Sequence, residues 1–441
     1  MYTAPHINAK KRPNFIFIMA DDLGYADLGC YGGRGHVSPH LDRMAAEGMR
    51  FTQAYANSPV CSPTRFALMT GRYQYRLRGA AEEPLTGRTR GSDILGLPPE
   101  HPTLPSLLKQ AGYYTALIGK WHLGFPPHFG PLASGYDFFY GVLGGGVDYF
   151  THCDRGGKHD LYHNEDEVHD IGYLTDLISD RAVETLRATA DRNEPFLLSV
   201  HYTAPHWPWE TRDDADLAET LRNNVQHTGG GSLLTYQRMI HHMDEGIGRL
   251  FETLKELGMD DNTIVVFTSD NGGERFSDTW PLVGKKMELL EGGIRVPLLA
   301  WWPGRIEAGK TSDQVTITMD WVATFLHYAK VDPHPDFELD GMSLNKNLSN
   351  ANHLEARTLF WRMKHMSQRA MREGHWKYLA IDDYEYLFDL SHDERERANR
   401  APYETERLQR MRNAFATWEQ TQLPIPAEAS VELVYGKKDM P

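Results

Sequence analysis

Cysteine is scarce in this chain, whose 441 residues include only Cys30, Cys61 and Cys153. Three cysteines are too few for a disulfide framework, and one of them is necessarily unpaired within the chain. No apolar stretch approaches the length of a membrane span. The apolar run at 15–20 is also too short for the core of a signal peptide. The sequence therefore predicts a soluble cytoplasmic protein with no membrane partner, or a periplasmic one if a signal has been removed.

Positively charged residues are also fewer than negatively charged ones. Lys and Arg number 46 against 60 Asp and Glu, which gives a formal net charge of −14. Nucleic-acid-binding proteins usually have a basic face, so this balance argues against that class. Apolar residues make up 41% of the chain and charged residues 24%, which is ordinary for a globular protein. The length suffices for one large and one small domain.

Short apolar runs alternate with helical patterns through most of the chain, which is typical of an α/β fold with a mainly parallel sheet. The longest helix is predicted over 234–257, because its apolar residues recur at spacings of three and four and share one face. Two glycine triplets, 144–146 and 229–231, are interpreted as flexible loops. The sequence thus predicts a large mixed, mostly parallel sheet flanked by helices. Its predicted buried strands lie at 15–19, 114–118, 195–200, 263–267 and 296–301.

The pattern changes after about residue 335, where short strands separated by turns follow one another. We expect a small C-terminal antiparallel sheet with one helix there, packed beside the main domain. The predicted domains are therefore 1–335 and 336–441. The C-terminal elements predicted are strands at 358–361, 376–381 and 386–390 and a charged helix over 403–419.

Two predicted strands are followed by residues rich in side-chain oxygen. Asp21 and Asp22 follow the first strand, and Asp270 and Asn271 follow the strand at 263–267. Ligands of open α/β sheets bind beyond the carboxyl ends of the strands, so the two pairs are expected to meet. Either pair alone is more often a solvated turn or a helix cap. Together they favour a hard divalent cation such as calcium or magnesium rather than zinc.

Basic residues lie near three other strands. Lys120 and His122 follow one strand, and a spacing of two lets both side chains point the same way in an extended segment. His206 stands in the same relation to a second strand, and Lys285 and Lys286 shortly precede a third. Each of these alone is an ordinary loop with a basic residue. Gathered around one point with a metal, they suit a tetrahedral oxyanion.

The segment 61–65 reads Cys-Ser-Pro-Thr-Arg, and Cys61 lies just before a predicted helical stretch at 63–69, where backbone N–H groups favour negative charge. An isolated C-x-P-x-R match is usually a free Cys in a loop that enters a helix. Here the chain resembles the type I, arylsulfatase-like sulfatases of the alkaline phosphatase superfamily, and the resemblance covers nearly the whole chain. The matching segments, in the family's order, are 14–24, 61–71 (CSPTRFALMTG), 119–124 (GKWHLG), 204–208 (APHWP), 269–272 (SDNG), and 286 with 291–297 (EGGIRVP).

The resemblance implies hydrolysis of sulfate monoesters of an aryl alcohol or a sugar. A formylglycine-generating enzyme would convert Cys61, and the modified residue would form a covalent sulfo-formylglycine intermediate. Position 64 is Thr where the family usually has Ser or Ala, but conversion depends mainly on Cys, Pro and Arg. One divalent cation, most often calcium in this family, would be bound. Its implied ligands are Asp21, Asp22, Asp270, Asn271 and the modified Cys61.

The resemblance also implies roles in catalysis. Lys120 and Lys286 would contact the sulfate, and Lys286 is preferred to Lys285 because its distance to Glu291 fits the family. His206 with Lys286 would protonate the leaving alcohol. His122 would take the proton of the second formylglycine hydroxyl, so that free sulfate leaves and the aldehyde forms again. The implied catalytic residues are Cys61, Arg65, which would hold the formylglycine, Lys120, His122, His206, Lys286, and Asp270, which would accept the nucleophile's proton.

Two other functions remain open on the sequence. A phosphonate monoester or phosphodiester hydrolase on the same scaffold could use the same nucleophile. A noncatalytic sulfate-ester binder would result if Cys61 stayed unmodified. An aromatic wall beside the leaving group would suit an aryl ring or the face of a sugar, although core packing explains its members equally well. These members are Tyr149, Phe150, Trp207 and Trp209.

Overall fold

The computed structural model describes residues 12–77, 84–192, 194–221 and 230–425. No helix within these ranges is both long enough and apolar enough to cross a membrane. Their strands are β1 (Asn14–Ala20), β2 (Met49–Phe51), β3 (Ala54–Tyr55), β4 (Tyr114–Gly119), β5 (Phe138–Gly141), β6 (Tyr162–His163), β7 (Asp166–Glu167), β8 (Phe196–His201), β9 (Thr263–Ser269), β10 (Leu298–Trp301), β11 (Lys310–Ser312), β12 (Thr316–Ile317), β13 (Thr358–Met363), β14 (Gln368–Glu373), β15 (Trp376–Ile381) and β16 (Tyr384–Asp389). Their helices are α1 (Pro39–Glu47), α2 (Cys61–Thr70), α3 (Leu104–Gln110), α4 (Leu174–Ala190), α5 (Ala215–Leu221), α6 (Leu233–Glu256), α7 (Glu291–Ile294), α8 (Asp320–Ala329), α9 (Asn345–Ser349) and α10 (Thr405–Glu419).

The main sheet has ten strands in the order β11-β2-β10-β9-β1-β8-β4-β5-β6-β7. The central run from β9 to β5 is parallel, while β10 is antiparallel to β9. Strands β1 and β9 pair along their whole length, from Asn14 opposite Thr263 to Ala20 opposite Ser269. The predicted large, mixed and mostly parallel sheet is confirmed. This register brings the segments after β1 and β9 to the same sheet edge.

Strand β1 shows why the sheet needs helices on both faces. All seven of its residues are buried, and their side chains alternate between two cores. Ile16 and Ile18 pack in the core that contains α4 and α6, whereas Phe15 and Phe17 pack in the core that contains α3 and α8. A strand with apolar residues on both faces is typical of a parallel sheet covered on each side. The strand therefore has a fixed register, and so do the residues at its carboxyl end.

The C-terminal strands β13, β14, β15 and β16 form a separate antiparallel sheet in chain order, and α10 packs against it. The predicted small sheet with one helix is therefore confirmed, although the sequence pattern missed β14. That strand, QRAMRE, has three charged residues among its six, so its apolar content is too low for the pattern to stand out. The domain boundary near residue 335 stays a prediction.

Lys377 of β15 links this sheet to α7. Its Nζ lies 3.0 Å from Glu291 Oε1 and 2.8 Å from Glu396 Oε1, and neither Lys377 nor Glu291 is exposed. We expect Lys377→Met to lower the free energy of unfolding by about 3–5 kcal/mol, because two buried carboxylates lose their cation. Urea denaturation measures this change.

The matched control replaces a lysine whose ion pair is exposed. Lys310 Nζ lies 2.9 Å from Glu307 Oε1, and both side chains are close to half exposed or more. Lys310→Met should change the free energy of unfolding by no more than about 1 kcal/mol. Similar small changes in both variants would contradict a stabilising role for the buried cluster.

Candidate active site

The candidate active site lies at the carboxyl ends of the central strands of the main sheet. Asp21 and Asp22 follow β1, and Asp270 and Asn271 follow β9. Backbone hydrogen bonding continues past the strands, where Asp270 N donates to Ala20 O at 3.2 Å. The two oxygen-rich pairs that the sequence predicted to meet are therefore brought together.

Lys120 lies one residue beyond β4 and next to His201, the last residue of β8. Lys120 N donates to His201 O at 2.7 Å, and Lys120 O lies 3.3 Å from His201 Nδ1. The same carbonyl accepts a hydrogen bond from Arg65 at 3.2 Å. His201 therefore helps to hold the backbone of Lys120. Sequence reasoning missed His201, although its position at the end of a parallel strand was a usable signal.

Cys61 is the first residue of α2 and is only 2% exposed. Its Sγ lies 3.4 Å from Asp21 Oδ1 and 4.0 Å from Asp22 Oδ1. Burial, together with the charges of Asp21 and Asp270, raises the pKa of the Cys61 thiol well above its ordinary value. A protonated thiol is a weak nucleophile.

Thr64 supports the turn that leads into α2. Its hydroxyl donates to Ser58 O at 3.1 Å and accepts from Ser58 N at 2.9 Å. The Thr64 side chain is buried, and its hydroxyl is satisfied by these two hydrogen bonds. The departure from the usual Ser or Ala is therefore compatible with the local backbone.

Three buried cations each pair with a buried carboxylate, and none of the six side chains is more than 1% exposed. The Arg65 guanidinium contacts Asp270 Oδ2 with two nitrogens, at 3.1 and 2.8 Å. Burial alone would raise the pKa of Asp22, but Lys286 and His206 lower it to about 2. Burial and the Asp21 charge raise the pKa of Asp270 to about 6. The pairs are Lys120 with Asp21, Lys286 with Asp22, and Arg65 with Asp270.

The segment around Lys286 is fixed from two sides. Lys286 Nζ donates to Asp22 Oδ2 at 2.7 Å, whereas the neighbouring Lys285 is exposed. The side chain of Gln368, from β14, donates to Met287 O at 2.8 Å and accepts from Leu289 N at 2.9 Å. The structure thus brings Lys286, rather than Lys285, into the cluster, and the C-terminal sheet holds its backbone.

Four side chains of the site form a cluster that could hold a metal ion. Asp21, Asp22, Cys61 and His206 each offer a ligand atom, and these atoms lie within 4.8 Å of one another. Asn271 Nδ2 donates to Asp22 Oδ1 at 2.7 Å, while the buried Oδ1 of Asn271 has no hydrogen-bond partner among the described residues. An unsatisfied amide oxygen amid carboxylates is a group that calcium or magnesium would bind.

His122 has a defined proton position. Its Nε2 lies 2.6 Å from Leu85 O, and a carbonyl only accepts, so Nε2 is the protonated nitrogen. Its Nδ1 is buried and has no partner in the described part of the chain. Burial and the Lys120 charge keep the pKa of His122 well below its ordinary value. His122 is therefore neutral and has a lone pair on Nδ1.

The sequence suggested that the glycine triplet 144–146 is a flexible loop. In the structure its backbone instead packs closely against two histidine rings. A Cβ on Gly145 would lie 2.6 Å from the His122 ring, and a Cβ on Gly146 would lie 3.0 Å from His206 Cε1. Only glycine lets the backbone approach both imidazoles this closely. Of the second triplet, residue 229 lies outside the described residues.

His206 is held through its Nδ1 and by its backbone. Nδ1 lies 2.6 Å from Trp207 O, and Nε2 lies 3.6 Å from Asp22 Oδ2. The Tyr149 hydroxyl donates to His206 O at 2.8 Å. Burial and the Lys286 charge lower the pKa of His206 well below its ordinary value.

The predicted aromatic wall is only partly accessible. Tyr149 and Trp209 are at most 3% exposed and belong to the core. Trp207 and Phe150 are partly exposed, and the Trp207 ring centroid lies 4.4 Å from that of His206. Trp207 is therefore the member of the wall that adjoins a predicted site residue.

Sequence reasoning also missed Glu274. It lies three residues after Asn271 and is 6% exposed. Neither of its carboxyl oxygens has a hydrogen-bond partner among the residues the structure describes. Burial raises its pKa to about 8. Its position in the loop after β9 was the signal that could have found it.

Residues 13–331 match the family model described as sulfatase, and residues 280–418 match the model described as N-sulphoglucosamine sulphohydrolase, C-terminal. The chain belongs to the sulfatase family. This sulfatase is 32% identical to N-acetylgalactosamine-6-sulfatase of Homo sapiens over 376 residues, which are 80% of this chain and 69% of that protein.

Solved structures agree with this assignment. The crystal structure of Ps i-CgsB in complex with k-i-k-neocarrahexaose has a TM-score of 0.83 and 32% identity, and the match covers 95% of this sulfatase and 94% of that chain. The structure of BT4656 with its substrate D-glucosamine-2-N,6-O-disulfate has a TM-score of 0.71 and 25% identity, covering 93% and 97%. The predicted family is confirmed, and this sulfatase is a sulfuric ester hydrolase.

Proposed function

We propose that this sulfatase hydrolyses sulfate monoesters of carbohydrates and that Cys61 acts after conversion to formylglycine. The observation that supports this most directly is the position of Cys61 at the start of α2, 3.4 Å from Asp21 and among the buried cations Arg65, Lys120 and Lys286. A hydrated formylglycine supplies a hydroxyl that the buried thiol lacks. Conversion would require a formylglycine-generating enzyme as a partner during maturation.

Asp21, Asp22, Asp270, Asn271 and the modified residue 61 would hold one calcium ion. When bound, the ion would offset the carboxylate charges and lower the pKa of a nearby hydroxyl. The cations of the chain have a separate task, because the sulfuryl oxygens gain negative charge as the ester bond breaks. Lys120 and Lys286 would bind these oxygens, and Arg65 would keep Asp270 oriented through its two-nitrogen contact.

Two histidines would take part in the two proton transfers of the reaction. His122, neutral and with no partner for its buried Nδ1 among the described residues, would take a proton from the residue at position 61 when sulfate is released. His206 adjoins the partly exposed Trp207 and, together with Lys286, whose raised pKa keeps its ammonium group protonated, would give a proton to the leaving alcohol. The ring of Trp207 suits the face of a sugar, and the ligands of the relatives named above are carbohydrates.

Mass spectrometry of the peptide that contains residue 61 tests the proposal. In protein produced together with a formylglycine-generating enzyme, we expect the aldehyde in place of the thiol and one calcium ion per chain. The modified protein should hydrolyse 4-nitrophenyl sulfate and sulfated sugars faster than phenylphosphonate. An unmodified thiol would favour a noncatalytic binder, and a large preference for phenylphosphonate would favour a phosphonate hydrolase.

Gly145→Ala is expected to lower kcat for 4-nitrophenyl sulfate roughly 10²-fold, because the new Cβ would displace the His122 ring. Steady-state kinetics of the modified protein measure this loss. Gly130→Ala is the matched control, since a Cβ there meets no atom closer than 3.7 Å. Equal kcat values in the two variants would show that the close approach at Gly145 is unimportant.

A further inference from the structure

Glu274 is a buried carboxyl group for which the proposed mechanism has no use. The residue is 6% exposed, and both Oε1 and Oε2 are buried without a hydrogen-bond partner in the described parts of the chain. Most buried polar atoms in folded proteins are hydrogen-bonded, and an unpaired carboxyl group is costly to bury. A cost of this kind is typical of functional sites, where a ligand completes the hydrogen bonding.

The carboxyl group belongs to a loop that is bonded to the segment of a predicted sulfate contact. The loop of Glu274 is tied to the Lys286 segment, because Lys286 N donates to Gly273 O at 3.0 Å. The charge that acts most strongly on the Glu274 carboxyl is that of Lys286, followed by that of Asp22. Lys286 Nζ itself bonds to Asp22 rather than to Glu274. Glu274 thus lies near Lys286 without being hydrogen-bonded to it.

The chemistry of the missing partner follows from the state of the acid. A glutamate carboxyl only accepts hydrogen bonds when it is ionised, and it can also donate one when it is protonated. A sulfate oxygen only accepts hydrogen bonds and would satisfy the protonated state alone. An ammonium group only donates and would satisfy the ionised state alone. A hydroxyl both donates and accepts, so it satisfies either state.

We propose that Glu274 is a specificity-determining residue that hydrogen-bonds a hydroxyl of the leaving alcohol, close to the sulfated oxygen. The preferred substrates would then be sugar sulfates with a free hydroxyl near the ester, in preference to aryl sulfates. This inference rests on the proposed function, because it assigns the alcohol side of the same site.

The test compares wild type, Glu274→Gln and Glu274→Met, each with residue 61 shown to be modified. The substrates are 4-nitrophenyl sulfate and the monosulfates of galactose and N-acetylgalactosamine. The sugar sulfate that is hydrolysed fastest is then compared with its deoxy analogues, each lacking one hydroxyl near the ester. Glu307→Gln, on the exposed surface, is the control variant.

We expect kcat/KM for the sugar sulfate to fall about 10- to 100-fold in both Glu274 variants. The loss in kcat/KM for 4-nitrophenyl sulfate should be at least tenfold smaller. For one deoxy analogue, kcat/KM of wild type should fall by a similar factor, whereas kcat/KM of the variants should change little. The reason is that the substitution and the missing hydroxyl remove the same hydrogen bond. Glu274→Met should also raise the melting temperature by roughly a few degrees, since it removes an unpaired buried carboxyl.

Other results would overturn the inference. Equal losses on sugar and aryl sulfates would assign Glu274 to the sulfate itself, and a lower melting temperature of Glu274→Met would indicate a structural role. The inference would also be contradicted if the losses in kcat/KM from the substitution and from every deoxy analogue were additive. It would be contradicted as well if no sugar sulfate were hydrolysed faster than 4-nitrophenyl sulfate. If the modified wild type hydrolysed neither class of ester, the proposed function would fail instead.

Discussion

Cys61→Ala should abolish ester hydrolysis, leaving kcat at least about 10⁴-fold below that of the modified parent chain. The reason is local: the variant lacks the side chain that becomes the nucleophile, while the cations around it stay in place. Hydrolysis of 4-nitrophenyl sulfate and the binding of inorganic sulfate are the two measurements.

Binding should persist when turnover is lost, because Lys120 and Lys286 keep their charges. Cys30→Ala is the control, since Cys30 lies outside the site and its N–H bonds to Asp42. An active Cys61→Ala variant would show that position 61 is not the nucleophile. Equal activity of modified and unmodified parent protein would show that the aldehyde is unnecessary.

Lys286→Met is expected to lower kcat/KM by about 10²- to 10³-fold, the loss typical of a donor that stabilises transition-state charge. The adjacent Lys285→Met is its matched control, because the two lysines differ in exposure and in contact with Asp22. The Lys285 variant should retain activity within a few-fold. Thermal unfolding of both variants shows whether the loss at position 286 is one of chemistry or of folding.

The opposite order of effects would place Lys285 in the site. A comparable loss in both variants would mean that the segment needs its total positive charge rather than one positioned ammonium group. Because burial is compensated at Lys286 by Asp22 and other acidic groups, its pKa lies well above the ordinary value and its charge is present across the assay range.

The sequence predicted the sheet and most of the site because both depend on local patterns. Strand β1 is a continuous apolar run, and the acids that follow it need only the end of that run to be located. The register of β1 with β9 then follows from the parallel fold. The sequence therefore predicts that Asp22 and Asn271 lie together, and their side chains are 2.7 Å apart.

Other parts of the site depend on contacts between distant segments, and no local pattern reports these. Gly145 looks like any loop glycine until the His122 ring is placed beside it. The tautomer of His122 is fixed by Leu85 O, thirty-seven positions away in the chain. Glu274 has no helical or strand periodicity, and its unusual state comes only from burial among other charges.

The Gln368 contacts have a consequence for how such a protein can change over time. Gln368 belongs to the C-terminal sheet, yet its amide brackets the backbone of Met287 and Leu289 beside Lys286. A recombined gene that took the C-terminal segment from a relative would exchange the support of that lysine along with the segment. Because the partners of this amide are backbone groups, hybrids are expected to keep activity only when the incoming segment also supplies a glutamine at position 368.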